Sequence, residues 1–318
     1  MDLKASLIIP TKDRPHDLDL CVDSIMQQDL LPNEVIVIDD GNLGSEFIHG
    51  LKARIEMKGI AFLYSKKTVC GICKSRNLGA RLASHDILFF VDDDIIILDK
   101  QYINSIVKVY EIDIDGRIGG VQGPFIENMN KTKIKLRDKI WFGLEMLFCV
   151  RSRKFGKILR SSFESSTSFV FSEIKKVDYL SGCCSYRKEV FKEYSYDECF
   201  EHAKGNSYRE DSDFSYRVSG KYELIFLPHA LILHTHSPSS RLMGLQVSRL
   251  MVRNSYCFFR KNMLNKTIIN YVCFIWAMIG LLCIRVLFYV GRPRKNRFDE
   301  IKGILCGYYD IFNIIKTK

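Results

Sequence analysis

Four short apolar runs in the first hundred residues alternate with helical stretches, and this alternation restricts the chain to few folds. The runs are ASLIIP at 5–10, EVIVIDDG at 34–41, IAFLYS at 60–65 and ILFFVDDD at 87–94. The helices between them are predicted near 16–28, 44–58 and 74–84. Strands that alternate with helices in this way are typical of βαβ units, which build a parallel sheet covered by helices. The sequence therefore predicts an α/β fold with a mainly parallel central sheet.

The predicted strands end in side chains that suit a charged ligand. The first ends at Thr11, the second at Asp39 and Asp40, and the fourth in three consecutive carboxylates, Asp92 to Asp94. Parallel α/β sheets bind ligands outside the carboxyl ends of their strands, so we expect these groups to meet at one edge. Burial disfavours three uncompensated carboxylates, and a divalent metal with a diphosphate would compensate them. A solvated acidic turn after an edge strand is the alternative.

Other common kinds of site find little support in the sequence. Neither GxGxxG nor GxxxxGKS/T occurs, which argues against the usual dinucleotide fold and against a P-loop. CGIC at 70–73 is a weak candidate for a redox pair or half a zinc site, because no second CxxC exists and nearby lysines favour an anion-facing loop. The eleven cysteines form no regular framework, and the N-terminus resembles no signal peptide. We therefore expect a reducing, cytosolic compartment.

The C-terminal part of the chain carries all of its excess positive charge. Residues 246–318 contain 13 basic and 3 acidic residues, whereas residues 1–245 contain 34 of each. The same tail has seventeen uncharged residues at 268–284, then Arg285, and then the basic cluster RPRKNR at 292–297. An apolar segment of this length is a transmembrane helix, an interfacial helix or a buried helix that closes the domain. We favour attachment to the cytoplasmic side of a membrane, peripheral or single-span, with the basic residues against anionic lipid.

A set of motifs in a specific order resembles the family 2 inverting glycosyltransferases, which have a GT-A fold. The motifs are SLIIPTKDRP at 6–15, EVIVIDDG at 34–41, GICKSRNLGARLA at 71–83, the acidic triplet, SGCC at 181–184 and the pair Glu210–Asp211. The resemblance covers about residues 5–245 and points to the bacterial surface-glycan type. It implies a nucleotide-sugar donor and a glycan or lipid-linked glycan as acceptor.

The resemblance also implies roles for the residues on the donor side. Asp92 to Asp94 correspond to the family's DxD motif, with Asp94 as principal ligand of a Mg²⁺ or Mn²⁺ ion and Asp92 as a second ligand. Asp39 corresponds to the aspartate that contacts the base, although a turn aspartate is the alternative. Arg76 suits a diphosphate or sugar hydroxyls but could equally pair with the acidic strand ends. The implied donor-binding residues are Pro10, Thr11, Arg14, Asp39, Asp40, Arg76, Asn77, Asp92 and Asp93.

A second group of residues matches the family's catalytic and acceptor side. Inversion needs a base that deprotonates the acceptor hydroxyl, and Asp211 is the candidate, with Glu210 orienting the acceptor. A plain helical face with charge pairs such as Asp213–Arg217 is the alternative. The implied acceptor-binding residues are Gly182 and Cys183. His234 and then His236 are candidates for a further metal ligand, and ordinary polar roles for both are the alternative.

These inferences divide the chain into three parts. Residues 1–100 are the predicted nucleotide-sugar-binding half of the GT-A domain, 101–245 the acceptor-binding and catalytic half, and 246–318 a membrane-associating helical tail. One alternative function is sugar-nucleotide nucleotidyl transfer, which predicts a glycine-rich loop after the first strand, but residues 10–20 contain no glycine. The other is a non-catalytic protein that binds nucleic acid or membrane. The basic residues of the tail adjoin an apolar run, whereas a nucleic-acid-binding surface interleaves basic residues with aromatic and polar ones. We therefore expect no nucleic-acid partner.

Overall fold

The computed structural model describes residues 3–126, 136–165, 173–202, 207–235, 244–265 and 267–316. The strands are β1 Ala5–Thr11, β2 Glu34–Asp39, β3 Ala61–Lys66, β4 Ile87–Phe90, β5 Ile95–Ile97, β6 Ile118–Gln122, β7 Phe125–Ile126, β8 Lys175–Val177, β9 Cys184–Arg187, β10 Glu223–Phe226 and β11 Ile232–His234. The helices are α1 Pro15–Ile25, α2 Ser45–Glu56, α3 Ile72–Leu82, α4 Tyr102–Ile112, α5 Leu136–Leu147, α6 Glu210–Val218, α7 Leu245–Asn262, α8 Ile268–Gly291 and α9 Lys295–Lys316.

The central sheet has eight strands in the order β3-β2-β1-β4-β9-β6-β10-β8. β1 pairs in parallel with β2 and β4, β2 with β3, and β6 with β10. Antiparallel pairs form where β9 lies between β4 and β6, and where β8 lies at the edge. The prediction of a mainly parallel α/β sheet is therefore confirmed. A smaller sheet contains β5, β11 and β7.

The residues VDYLSGCCSYRKEVF at 177–191 predict a turn that leads into a helix, and the structure differs from this prediction. The segment contains the central strand β9, followed by a short 3-10 helix at Lys188–Lys192. Residues in a strand between two others are buried on both faces, so their side chains lack the alternation of apolar and polar residues that marks a strand. Ser185 is tolerated there because its hydroxyl donates to the carbonyl of Val121 and pairs with the hydroxyl of Tyr110.

Hydrophobic side chains cover both faces of the central sheet, as the alternation of strand side chains requires. Leu7 and Ile9 of β1 pack into the cluster that includes α1 and α4, while Ile8 packs with α3 and α6 on the opposite face. Polar residues that follow β1, β2 and β4 lie at the common carboxyl edge, because those strands run in parallel. The sheet thus positions the predicted site.

The three C-terminal helices form a further layer that packs on the preceding part of the chain. Their hydrophobic cluster takes in Phe163 and Phe200, which lie outside the tail, together with Phe258 of α7 and Phe274 of α8. α8 is 24 residues long, and by length and composition it is the one helix in the described ranges that could cross a membrane. A third of its most apolar stretch is buried against the rest of the protein.

Candidate active site

The three carboxylates after β4 differ in their partners, apart from Arg14, which lies near both Asp93 and Asp94. Asp92 lies 3.2 Å from a guanidinium nitrogen of Arg76 and keeps a third of its side chain exposed. Asp93 is buried, and it accepts hydrogen bonds from the Thr11 hydroxyl at 2.8 Å and from Arg14 at 3.0 Å. Burial raises the pKa of Asp93 to about 6, although Arg14 opposes this rise. The triplet is therefore not a freely solvated turn, which was the alternative in the sequence analysis.

Asp94 lies beside His234 of β11. The distance between Asp94 Oδ1 and His234 Nε2 is 3.2 Å, and only 4% of the Asp94 side chain is exposed. Two neighbouring ligands on one octahedral ion lie about 3 Å apart, so this pair fits two positions around a divalent metal. A carboxylate with an imidazole is a donor set that suits Mn²⁺. No cluster of three or more metal-ligating side chains occurs in the described ranges. The predicted ligand His236 lies outside those ranges.

Arg76 of α3 is the centre of the site. Its Nη2 atom donates to Asp92 at 3.2 Å, and its Nη1 atom donates to Glu210 at 3.1 Å and to Asp211. Only 3% of the Arg76 side chain is exposed, and its guanidinium lies 5.4 Å from the ring centre of Tyr196. One buried cation thus joins the acidic strand end to the acidic pair of α6. Its pairing with Asp92 matches the alternative role for Arg76, whereas its contacts with Glu210 and Asp211 were not predicted.

Glu210 and Asp211 form the first turn of α6, where the helix dipole stabilises negative charge. The residue before them, Arg209, has a left-handed backbone (φ 70°), which is strained for a residue with a side chain. Asp211 keeps 20% of its side chain exposed. Burial raises its pKa well above the ordinary value, Arg76 opposes the rise, and the carboxylates of Glu210 and Asp92 add to it. Such a carboxylate is a stronger base than a solvated one. Asp213, by contrast, pairs with Arg217 on the same helix.

Gly182 and Cys183 close the site from the β9 side. A Cβ atom built on Gly182 would lie 2.7 Å from Arg76 Nη2, 3.2 Å from Asp211 Oδ2 and 3.3 Å from Asp92 Oδ2. The buried Cys183 thiol lies against the acidic strand end, since its sulfur accepts a hydrogen bond from the Asp92 amide at 3.3 Å. Both residues therefore lie between the acidic strand end and α6.

Several predicted donor-binding residues are already engaged within the protein. Asp39 is fully buried and accepts hydrogen bonds from the amides of Gly41 and Leu43 and from the Tyr64 hydroxyl. These contacts are those of a turn aspartate, the alternative for this residue, and its contact with a base stays a prediction.

Of the remaining donor-side candidates, three are engaged elsewhere in the fold and five lie together. Asp40 pairs with Lys67 at 2.6 Å and accepts the Gly71 amide, so it fastens the loop before α3. Asn77 exchanges two hydrogen bonds of 2.8 Å with the backbone of Tyr196. Pro10 is buried in β1 at the level of Ile38. Among the donor-side candidates, Thr11, Arg14, Arg76, Asp92 and Asp93 are the ones that the structure brings together.

Comparisons with known proteins identify the architecture. The family model described as "Glycosyl transferase family 2" matches residues 6–195, more than half of the chain. The chain belongs to glycosyl transferase family 2. It is 23% identical over 241 residues to the O-antigen chain rhamnosyltransferase RfbN of Salmonella typhimurium, a match that covers 75% of this chain and 68% of that protein.

Solved structures with the same fold include a mannosyltransferase and TarS. Mannosyltransferase PcManGT from Pyrobaculum calidifontis, in complex with GDP-Man and Mn²⁺, has a TM-score of 0.58 and 13% identity over 98% of this chain and 88% of that one. S. aureus TarS 1-349 has a TM-score of 0.51 and 15% identity over 97% and 92%. The chain is a nucleotide-sugar glycosyltransferase with a GT-A fold. The family match ends before α6, so it does not bear on Glu210 and Asp211, whose roles rest on the geometry of the site.

Sequence reasoning missed two residues that hold the start of α6 in this glycosyltransferase. Glu164 accepts hydrogen bonds from Arg209 Nε at 3.1 Å and from the Ser212 hydroxyl at 2.5 Å. Arg209 also reaches the Ser162 carbonyl and stacks over Phe258 of α7 at 4.2 Å. No local motif marks Glu164, which lies 45 residues from Arg209. The basic residue directly before the acidic pair was the signal available for Arg209.

The packing around Gly182 predicts a strong effect from one added methyl group. We expect Gly182→Ala to lower the transfer rate about 10–100-fold, because its Cβ would displace Arg76 and the two carboxylates by several tenths of an ångström. Gly50→Ala is the matched control, since nothing lies within 4 Å of its added Cβ. Rates and melting temperatures of both variants check this, and a Gly182→Ala enzyme as active as the control would contradict the geometry.

Proposed function

We propose that this glycosyltransferase moves a sugar from a nucleotide-diphosphate sugar to a hydroxyl of a glycan by one inverting displacement. Asp211 removes the proton of the acceptor hydroxyl as it attacks the anomeric carbon, and Glu210 orients the acceptor. Asp92 and Asp93 contact the donor. Residues 1–100 would carry the donor side and 101–245 the acceptor side. The likeness to RfbN supports a growing surface polysaccharide as acceptor.

The observation that carries this proposal is the arrangement around Arg76. Its guanidinium is hydrogen-bonded to Asp92 on the donor side and to Glu210 and Asp211 on the acceptor side. A single displacement needs the donor and the base within one pocket, held in fixed relative positions. Arg76 supplies such a link, and it also keeps Asp211 oriented while burial raises the pKa of that carboxylate.

A divalent metal fits the Asp94–His234 pair, and the Mn²⁺ in the mannosyltransferase structure supports this cofactor. When bound, the ion would neutralise charge on the nucleoside diphosphate that leaves. Asp94 and His234 would hold it, and Asp92 is the further candidate ligand. Arg14 lies 3.8 Å from Asp94 and adds positive charge on the donor side.

A thermal-shift screen tests the proposed function. Purified protein is heated with UDP-, dTDP- and GDP-sugars, each with and without Mn²⁺. We expect one nucleotide class to raise the melting temperature in a metal-dependent manner, because a ligand that binds only the folded state stabilises it. A folded protein that no nucleotide sugar stabilises and that cleaves none of them would contradict the proposal.

Removing the predicted metal ligands should abolish the metal-dependent part of donor binding. We expect Asp94→Ala and His234→Ala each to weaken donor affinity in Mn²⁺ about 10–100-fold or more, and to make the affinity insensitive to EDTA. The matched control is Asp99→Ala, an acidic residue in the loop that follows β5. Donor titrations with and without Mn²⁺ check this. Metal dependence that survives in both ligand variants would show that other residues hold the ion.

We infer that the C-terminal layer attaches the enzyme to a membrane surface. The buried stripe of α8 includes Phe274, Ala277 and Leu281, while its other face exposes apolar side chains such as Ile275 and Ile279. A helix with one packed face and one exposed apolar face suits the lipid interface. Exposed basic residues follow at the turn between α8 and α9, where anionic lipid would attract them; they are Arg292, Arg294 and Lys295.

Membrane binding should depend on the outward face of α8. We expect the double variant Ile275→Glu/Ile279→Glu to lose more than 10-fold in partitioning onto anionic liposomes, because two apolar side chains leave the lipid. Ile112→Glu/Ile114→Glu is the matched control, since these isoleucines are 78% and 87% exposed and lie outside the C-terminal layer. Flotation of both variants checks this, and equal partitioning would contradict the attachment.

Deleting the tail would be a poorer test of membrane binding. α7 lies beyond the proposed boundary at 245, yet its Asn254 donates to the carbonyls of Phe200 and Tyr208. Lys261 and Asn262 of the same helix donate to the buried Asp213 of α6. A truncated chain would lose these contacts with the catalytic half, so its folding and its lipid binding would change together.

A further inference from the structure

We propose that a cavity between the start of α6 and the C-terminal helices binds a sugar unit of the acceptor. The cavity has a volume of about 200 Å³ and lies between Glu164, Tyr208 and Arg209 on one side and residues of α5, α7 and α8 on the other. A water molecule needs only about 10–15 Å³ by this measure, so the space is that of a small ring-shaped ligand. This inference rests on the proposed function and adds the place of acceptor recognition.

The cavity shares its wall with the turn that carries the proposed base. Tyr208 and Arg209 directly precede Glu210 and Asp211, and both line the cavity. Glu164, a third lining residue, bonds to Arg209 and to the Ser212 hydroxyl on the far side of the acidic pair. A ligand in the cavity therefore lies next to the first turn of α6, where an acceptor hydroxyl has to meet Asp211.

The lining combines an apolar surface with paired charges. Phe163 and, from α8, Leu281 and Ile284 supply apolar atoms. Arg209 pairs with Glu164 at 3.1 Å, and Arg151 pairs with Glu145 at 3.0 Å. An anionic ligand would have to compete with these carboxylates for the guanidinium groups. A neutral sugar does not, because its hydroxyls donate to carboxylates and accept from guanidinium groups while its C–H face packs on apolar side chains.

One lining group keeps hydrogen-bonding capacity for such a ligand. Burial and the Glu164 carboxylate raise the pKa of Tyr208 to about 12, so its hydroxyl remains protonated at neutral pH and can donate to a sugar oxygen. The Nε atom of Arg285 is buried and lies 3.2 Å from Glu300 Oε2, so it faces that carboxylate rather than the cavity.

The position of α8 connects this cavity with the membrane surface. Leu281 and Ile284 lie on the buried stripe of the helix, and its opposite face carries the exposed Ile275 and Ile279. A glycan on a lipid carrier could place one sugar in the cavity while its lipid stays in the bilayer beneath the outer face. The cavity thus suits a lipid-linked saccharide better than a free one.

The test uses octyl glycosides of glucose, galactose, mannose and rhamnose as acceptor probes with the full-length enzyme. Release of nucleoside diphosphate is followed with the donor found in the thermal-shift screen. We expect at least one glycoside to stimulate release saturably. Leu281→Trp, which fills the cavity, should raise the half-saturating glycoside concentration at least 10-fold, and Tyr208→Phe should raise it about 3–10-fold. Ile114→Trp is the control and should leave this concentration unchanged, because Ile114 is 87% exposed and lies outside both the cavity and the C-terminal layer.

The outcomes separate this inference from the proposed function. Half-saturating concentrations that stay at the wild-type value in both cavity variants would overturn the subsite, and Tyr208→Phe decides if Leu281→Trp does not fold. Donor cleavage that no glycoside stimulates would also overturn it, while the proposed function would stand. Failure of the folded wild-type enzyme to cleave any nucleotide sugar would instead overturn the proposed function, and this inference with it.

Discussion

Asp211→Asn should lower the rate of sugar transfer about 10²–10⁴-fold, the range that general-base catalysis supplies. The amide keeps an oxygen that accepts the hydrogen bond from Arg76, but it cannot take the proton of the acceptor hydroxyl. Burial raises the pKa of Asp211 well above the ordinary range of an aspartate. In the wild type, the transfer rate should therefore fall as the pH drops through this raised pKa, and this fall should be missing in the variant. Rates of nucleoside diphosphate release across pH check this.

Asp213→Asn is the comparison for the base variant, because Asp213 lies on the same helix but pairs with Arg217 and Lys261 away from the Arg76 cluster. The Asp213→Asn variant should be less stable than the wild type, but its transfer rate should still fall at low pH as the wild-type rate does. If Asp211→Asn transferred sugar at the wild-type rate, or showed the same fall at low pH, another group would have to be the base.

Arg76→Met should be the most damaging substitution for stability. It removes the buried cation that faces Asp92, Glu210 and Asp211, and breaking a buried ion pair costs about 3–5 kcal/mol because the charges left behind lose their partner. We expect the melting temperature to fall by about 10 °C and activity to drop more than 100-fold. Arg76→Lys should be intermediate, since one ammonium group cannot place two parallel donors as a guanidinium does.

Arg81→Met provides the control for this substitution. Arg81 lies on the same helix, α3, and its side chain is exposed. Exposed charges contribute little to stability, so its melting temperature should stay within about 2 °C of the wild type. Equal melting temperatures for the two variants would mean that the carboxylates around Arg76 do not depend on its charge.

The sequence predicted the parts of the fold that depend on local patterning. The alternation of apolar runs with helical stretches located β1 to β4 and α1 to α3. The two-residue period of a strand and the 3.6-residue period of a helix can both be recognised from residues that are close together in the chain. The prediction failed for β9, where a central antiparallel strand depends on its neighbours β4 and β6 rather than on its own sequence.

The same distinction between local and long-range information applies to the site. Motif spacing located the acidic triplet and the pair Glu210–Asp211, because the residues of each group are adjacent in the chain. It could not choose between the two roles left open for Arg76, since the partners of this side chain lie 16 to 135 residues away. The Asp94–His234 contact joins residues 140 positions apart, and only the pairing of β11 with β5 brings them together.

The most direct test of the central claim is a calorimetric titration of the donor into the wild type, Asp211→Asn and Asp94→Ala with Mn²⁺ present. The account places Asp211 on the acceptor side and Asp94 on the donor side of Arg76. It therefore predicts that Asp211→Asn binds the donor within about 3-fold of the wild type while Asp94→Ala binds it at least 10-fold more weakly. An equal loss of donor binding in both variants would contradict this division of the site.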